Sequence, residues 1–149
     1  MSLLSQAKIL AIRYKALTGK PLGITGEVAE FEAARLLPTL KLAEAREPGF
    51  DATEVRGDKM WKLQIKGRCL PEHVTPGQRL GAIDRNKEWD AVLMVLMNFN
   101  FETLEIWEAS RAKVLEALGE PGSKSRNERG AMGVSKFKQI GKKRWPKLA

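Results

Sequence analysis

Residues 51–66 read Asp-Ala-Thr-Glu-Val-Arg-Gly-Asp-Lys-Met-Trp-Lys-Leu-Gln-Ile-Lys. Turn residues at Arg56-Gly57-Asp58 separate two short runs, so Asp51 to Val55 and Lys59 to Lys66 are expected to pair as a β-hairpin. Side chains alternate along a strand. Trp61, Leu63 and Ile65 therefore point to one face, and Lys62, Gln64 and Lys66 to the other. Asp51 opens the first strand, which brings a carboxylate to the neighbouring strand end, within reach of Gln64 and Lys66.

Working outward, Leu3, Leu4, Ala7, Leu10, Ala11 and Tyr14 recur at helical spacing over residues 3–17, and Gly19 stands where that helix should end. Thr25 is placed to cap a second helix running to about Leu37, with Val28, Phe31, Ala34 and Leu37 as its apolar stripe and Pro38 as its terminator. Pro48 and Gly49 mark a turn before the hairpin. Downstream, residues 67–90 contain Pro71, Pro76, Gly77 and Gly81 and read as a long irregular connection, a kind of segment that is often functional. Ala91 to Met97 is a continuous apolar run expected of a strand covered on both faces. Thr103 to Glu108, with Leu104 and Ile106 inward, should pair with it across a turn at Asn98 to Asn100. Ser110 caps a helix over about Arg111 to Leu118, and Gly119 closes it. Val134 to Ile140 forms a last short element, with Phe137 and Ile140 inward. The expected architecture is α/β, or α+β, with a mixed sheet of about four strands flanked by helices.

Composition limits the class. The chain has 149 residues, 43% hydrophobic and 30% charged. That suits a globular core without disulfide or metal staples. Cys69 and His73 are the only residues of their kinds, which leaves no internal disulfide and no Cys/His zinc set. With no signal-like segment and no apolar run long enough to cross a bilayer, a cytoplasmic protein without membrane contact is expected. Residues 122–149 hold nine Lys and Arg against Glu128 and so carry the whole net charge of +8, which divides the chain into a neutral 1–121 core and a basic C-terminal extension. Such a segment attracts polyanions by counterion release, or else is simply solvated.

Phosphodiester hydrolysis needs a hard divalent cation on oxygen ligands and a cationic group beside the attacked phosphate. Asp51, the Gln64 amide oxygen and the Ile65 backbone carbonyl are candidate ligands, and Lys66 is the candidate to position or deprotonate the water. At these residues the chain resembles the PD-(D/E)XK nuclease superfamily, in which an aspartate begins one hairpin strand and Glu/Gln-x-Lys ends the next. Gly23-Ile24-Thr25-Gly26-Glu27 is similar to the Gly-x-x-Gly-Glu of many members, and Gln64-Ile65-Lys66-Gly67-Arg68 to the Glu-Val-Lys-Thr-Arg ending of small bacterial ones. The resemblance spans residues 23–68. It implies a restriction-endonuclease-like core, Glu27, Asp51, Gln64 and Ile65 around Mg²⁺ or Mn²⁺, Lys66 as the assisting base, and DNA in preference to RNA. Many relatives dimerise to cut both strands, so a homodimer is compatible with it.

The chain departs from the family pattern at Gln64, where a neutral amide replaces a carboxylate, and at Phe50, where the name-giving pattern has proline. A catalytically inactive nucleic-acid-binding protein on the same fold is the alternative reading. Arg68, Lys142, Lys143, Arg144 and Trp145 are the candidate nucleic-acid contacts, whereas Arg79, Arg85 and Lys87 read as solvated loop residues. Trp61 and Trp107 fall in strands, where core packing accounts for them. Glu30, one helical turn after Glu27, ranks below it as a ligand. His73 and Cys69 carry no expected chemistry.

Overall fold

The computed structural model describes residues 2–44, 49–73, 77–120 and 131–147. The Pro48 half of the expected turn, Pro76, and Lys124, Arg126, Glu128 and Arg129 of the basic extension lie outside them. The elements run α1 (Leu3–Thr18), α2 (Thr25–Leu36), β1 (Leu40–Leu42), β2 (Ala52–Arg56), β3 (Lys59–Cys69), β4 (Ala91–Met97), β5 (Thr103–Ser110), α3 (Arg111–Gly119), α4 (Val134–Ile140) and β6 (Lys142–Trp145). The fold is α+β. Among the described residues six strands form one open mixed sheet in the order β1-β2-β3-β4-β5-β6. Every neighbouring pair is antiparallel except β3 and β4, which run parallel in the register Leu63↔Ala91 to Cys69↔Met97. A parallel pair demands a crossover connection, and residues 70–90 supply it, with no helix among their described residues.

β4 is the centre of the protein, with all seven residues buried. Leu93, Val95 and Met97 face α2, where they meet Val28, Ala29 and Ala33, while Val92, Met94 and Leu96 face Leu80, Ile83 and Trp89 of the crossover together with α3 and α4. Helices and crossover thus cover both faces, which is why the run is uniformly apolar. Phe137 of α4 is fully buried, and sequestering one such side chain is worth roughly 2–3 kcal/mol.

Local chemistry sets the boundaries. Gly19 takes φ 72° and closes α1 by donating from its N–H to Lys15 O, a left-handed cap that favours glycine. Gly57, at φ 61°, makes the hairpin turn between β2 and β3. The Asn98 side chain accepts from the N–H groups of Asn100 and Glu102 and shapes the turn into β5. The Ser110 hydroxyl accepts from Lys113 N and caps α3 as expected.

Several expectations are corrected. Thr25 is the first residue of α2 rather than its cap, Ile24 stands at the capping position, and no side chain caps this end. The buried stripe of α2 is Val28, Ala29, Glu32 and Ala33, with Phe31 40% exposed. The stripe is rotated because Glu32 goes inward, where its carboxylate takes Lys8 of α1 at 2.7 Å, Arg35 at 2.6 Å and Thr103 of β5 at 3.1 Å. Leu104 is 43% exposed, because a register shift between Leu96 and Met97 turns it away from the core. The sheet has six strands rather than about four, because β1 is only three residues long and β6 is short and basic. Residues 131–147 supply a core helix and an edge strand, so the described part of the basic extension belongs to the same fold as residues before 121. Among the described residues no helix is long and apolar enough to cross a membrane.

A charge cluster ties the two ends of the sheet together. Glu54 of β2, only 4% exposed, accepts from Thr39 at 2.6 Å, Arg56 at 2.7 Å and Arg144 of β6 at 2.9 Å, and both arginines also pair with Glu108 of β5. Burial pushes the Glu54 carboxyl up, but hydrogen bonds from Arg144, Thr39 and Arg56 outweigh it and hold the pKa at about 2. The stabilisation is therefore present above the ordinary carboxylate range and is lost as pH falls from there through about 2. Glu54→Gln should cost ~2 kcal/mol at pH 7, below the full penalty for a buried pair because the arginines retain some water. Urea unfolding checks this, and the difference from wild type should shrink on acidification.

Candidate functional site

β2 pairs with β3 only from Ala52↔Leu63 onward to the turn, so β3 runs on past the end of its partner. Asp51 sits at that step. Its N–H donates to Leu63 O at 2.8 Å, its carbonyl accepts from Ala43 N at 2.9 Å, and its Oδ2 accepts from Ile65 N at 2.7 Å. The carboxylate takes the place that another strand residue would occupy. Within one strand residue N–H and C=O point to the same edge, so the Ile65 carbonyl faces the same opening.

Gln64 and Lys66 flank Ile65 and project from the opposite face to Leu63 and Ile65, as alternation requires. Gln64 is 7% exposed, and its Oε1 is a buried acceptor with no hydrogen-bond donor among the described residues. Such an atom costs roughly 1–3 kcal/mol unless something fills its lone pairs. Lys66 is half-buried, and among the described residues no ion pair involves it. Burial lowers its pKa, Asp51 opposes that, Lys87 adds to it and Asp84 opposes it. Lys66 and Asp51 are thus electrostatic neighbours.

On the other side of Asp51 stands α2. Its Glu27 is exposed. Glu30, ranked second on sequence, is the partly buried acid whose carboxyl is pushed up by burial, then by Asp51, then by Glu27. The three acids share one region of negative potential, and Asp51 acts on both Glu30 and Lys66. Glycine permits this closeness: a Cβ on Gly67 would stand 2.5 Å from the Ala29 Cβ and 3.2 Å from Thr25 O. The helix carrying Glu27 and Glu30 therefore lies directly on β3 one residue past Lys66.

The crossover adds groups that sequence reasoning set aside. A Cβ on Gly49 would meet the Lys87 Cβ at 3.0 Å, so this loop crosses the chain just before Asp51. Arg111 holds it there, donating to the carbonyls of Arg85, Lys87 and Trp89 and lying 4.5 Å from the Trp89 ring centroid. Trp89 is buried and donates from Nε1 to Asp84 O at 2.9 Å. Asp84 and Lys87 are consequently the loop groups that act on Lys66. The sequence signal that could have found them is the pairing of a tryptophan inside a proline- and glycine-rich loop with an arginine at the start of the next helix.

The expected nucleic-acid contacts divide. Arg68 is exposed and directed by Gln78, whose Oε1 accepts from it at 2.9 and 3.1 Å. Lys142 is exposed. Lys143 pairs with Glu105 at 3.2 Å, Arg144 is committed to Glu54 and Glu108, and Trp145 packs on the core. The last three are edge-strand residues with structural partners rather than members of a solvated tail, because β6 pairs with β5 in the sheet. Trp61 and Trp107 are partly buried against the two cores, and His73 is exposed. Burial raises the pKa of the Cys69 thiol, against a side-chain hydrogen bond with Thr25.

Among the described residues no group of three or more His, Cys, Asp and Glu is placed to hold a metal ion. A cation at this step in the sheet would need the Gln64 amide oxygen and the Ile65 carbonyl beside the carboxylates. The donor-less Gln64 Oε1 is the feature that fits such a role. No protein-family model matches the chain, and no curated protein matches its sequence.

Proposed function

We propose that the chain is a metal-dependent nuclease of the PD-(D/E)XK type, cleaving phosphodiester bonds in DNA. The observation that carries this reading is the anchoring of Asp51 on Ile65, between the donor-less Gln64 oxygen and the half-buried Lys66, with Glu30 coupled to the same carboxylate. Asp51, Gln64, the Ile65 carbonyl and Glu30, with Glu27 beyond it, would hold Mg²⁺ or Mn²⁺, which when bound polarises a phosphate and acidifies a water. Lys66 supplies the rest. Its lowered pKa suits it to take a proton from the attacking water, and in its protonated form it donates to a phosphate oxygen as charge builds there. Asp51 favours the charged form of Lys66, and Arg111 fixes the loop that tunes its charge.

Glu30 must be ionised to serve as a ligand, and its pKa is raised. Cation affinity should therefore fall on acidification at a higher pH than an unperturbed carboxylate would give, because the cation competes with the proton for that carboxylate. Supercoiled plasmid incubated with Mn²⁺ or EDTA tests the proposal. Nicking that requires the metal and disappears in Asp51→Asn supports it; supercoiled plasmid and a duplex with a single-stranded extension both left intact by wild type at millimolar Mn²⁺ remove it. Gln64 favours a second reading, since a neutral ligand holds cations less tightly than a carboxylate: a DNA-binding protein without turnover. A salt-sensitive gel shift with no nicking would identify that case.

A further inference from the structure

Past Lys66, β3 continues as Gly67-Arg68-Cys69 along the floor of a groove of about 510 Å³ between the α1–α2 side and the crossover loop. Among the described residues its charged lining residues are Lys15 and Arg68, both cationic. The residues up to 121 are balanced in charge, so a groove whose described lining holds no acid is a local choice. The partner of Arg68 is the neutral Gln78 amide, which fixes the guanidinium and leaves its charge uncancelled. Thr25 brings the first turn of α2 into the lining, and no side chain caps that end, so its N–H groups add positive potential.

One wall is aromatic. Phe99 is 45% exposed, and the Lys15 ammonium lies 3.2 Å from its ring centroid, which fixes the ring at the rim. A smaller recess of about 60 Å³ opens beside it and shares Lys15, Thr25, Cys69 and Phe99 with the groove, adding the apolar side chains of Ile12, Leu22 and Phe101. Cations that meet phosphates, beside an exposed ring that meets a flat apolar face, are the two requirements for an unpaired nucleotide. In a duplex the base faces are already stacked and hidden, so a ring at the rim would find no partner there.

We infer that this groove binds a single-stranded nucleic-acid segment, with Lys15 and Arg68 on its phosphates and Phe99 stacked on one of its bases. Arg68 projects from the same face as Lys66, two residues further along β3, so the bound strand leads into the candidate site. The inference rests on the nuclease reading only for that continuity. It makes the preferred substrate one with an unpaired extension.

The test is fluorescence anisotropy with a labelled twelve-nucleotide oligo(dT), and with oligo(rU) to compare the two sugars, in EDTA so that no cleavage intervenes. Phe99→Ala should weaken binding about 5- to 100-fold. Arg68→Gln and Lys15→Gln should each lower the salt dependence by about 0.7 in the log–log slope. A blunt duplex of the same length should change less than about twofold. Unchanged thermal melting of the three variants separates these losses from misfolding. Oligonucleotide binding unaffected by all three substitutions overturns the inference, as does an equal loss for duplex. A wild type that cuts neither plasmid nor a tailed duplex yet shows these losses removes the nuclease reading and leaves the groove assignment in place.

Discussion

Lys66→Met is expected to abolish metal-dependent cleavage, by about 10³-fold or more, while raising the thermal midpoint. A preorganised donor at a developing charge is worth roughly 10²–10³ in rate, and Lys66 is also asked to handle the proton of the water. The stability change has the opposite sign because burial lowers the lysine's folded-state pKa. The unfolded chain holds that proton more readily than the folded one, so the charged form works against folding. The wild type should accordingly gain stability as pH rises through the window between its lowered value and the ordinary 10.5, and the variant should lack that gain. Methionine keeps the length of the stem without the charge. A lysine serving only to hold the fold would instead lose stability and activity together, which differential scanning calorimetry beside the plasmid assay distinguishes.

Gly67→Val is expected to cost roughly 3–4 kcal/mol and to reduce cleavage at least tenfold even where the protein remains folded. The first added carbon already collides with the Ala29 Cβ and crowds Thr25 O, a backbone atom that moves only with the helix. Displacing α2 would draw Glu27 and Glu30 away from Asp51. The pair Gly67→Ala and Ala29→Gly gives a sharper version: the second change removes the struck Cβ and should recover part of the stability lost to the first. Denaturant unfolding of the singles and the double measures the coupling. Additive losses would mean that the helix is not held by this contact.

Much of this arrangement was legible in the chain, and the parts that were not have identifiable physical reasons. The hairpin, the fully buried Ala91–Met97 strand and the capped helix after Ser110 each announce themselves through local pattern, and they appear within a few residues of the expected limits. Alternation alone put Gln64 and Lys66 on one face. β1 and β6 escaped because strands of three and four residues with exposed lysines are too short to display a hydrophobic period. They exist because the neighbouring strands offer free edges and because Glu54 draws Arg144 across. Glu32 misled the reading of α2, since a buried carboxylate with three partners from α1, α2 and β5 is indistinguishable in sequence from a solvated one. The same blindness to distant partners ranked Glu27 above Glu30. Lys87 is exposed, as a loop lysine is expected to be, and what the chain could not show is that its loop folds back toward Lys66. Whether an acid is inside or outside depends on partners dozens of residues away. Period and propensity carry no such term.

The most direct test of the central claim is an anomalous difference map from a crystal of the protein soaked in Mn²⁺. The account predicts a single strong peak at the step in the sheet, bounded by Asp51, Gln64, the Ile65 carbonyl and Glu30, that disappears in Gln64→Leu crystals soaked in the same way. A map at saturating Mn²⁺ without density there, or with its peak on some other set of acids while Gln64 Oε1 is occupied by an ordinary hydrogen-bond donor, would contradict it.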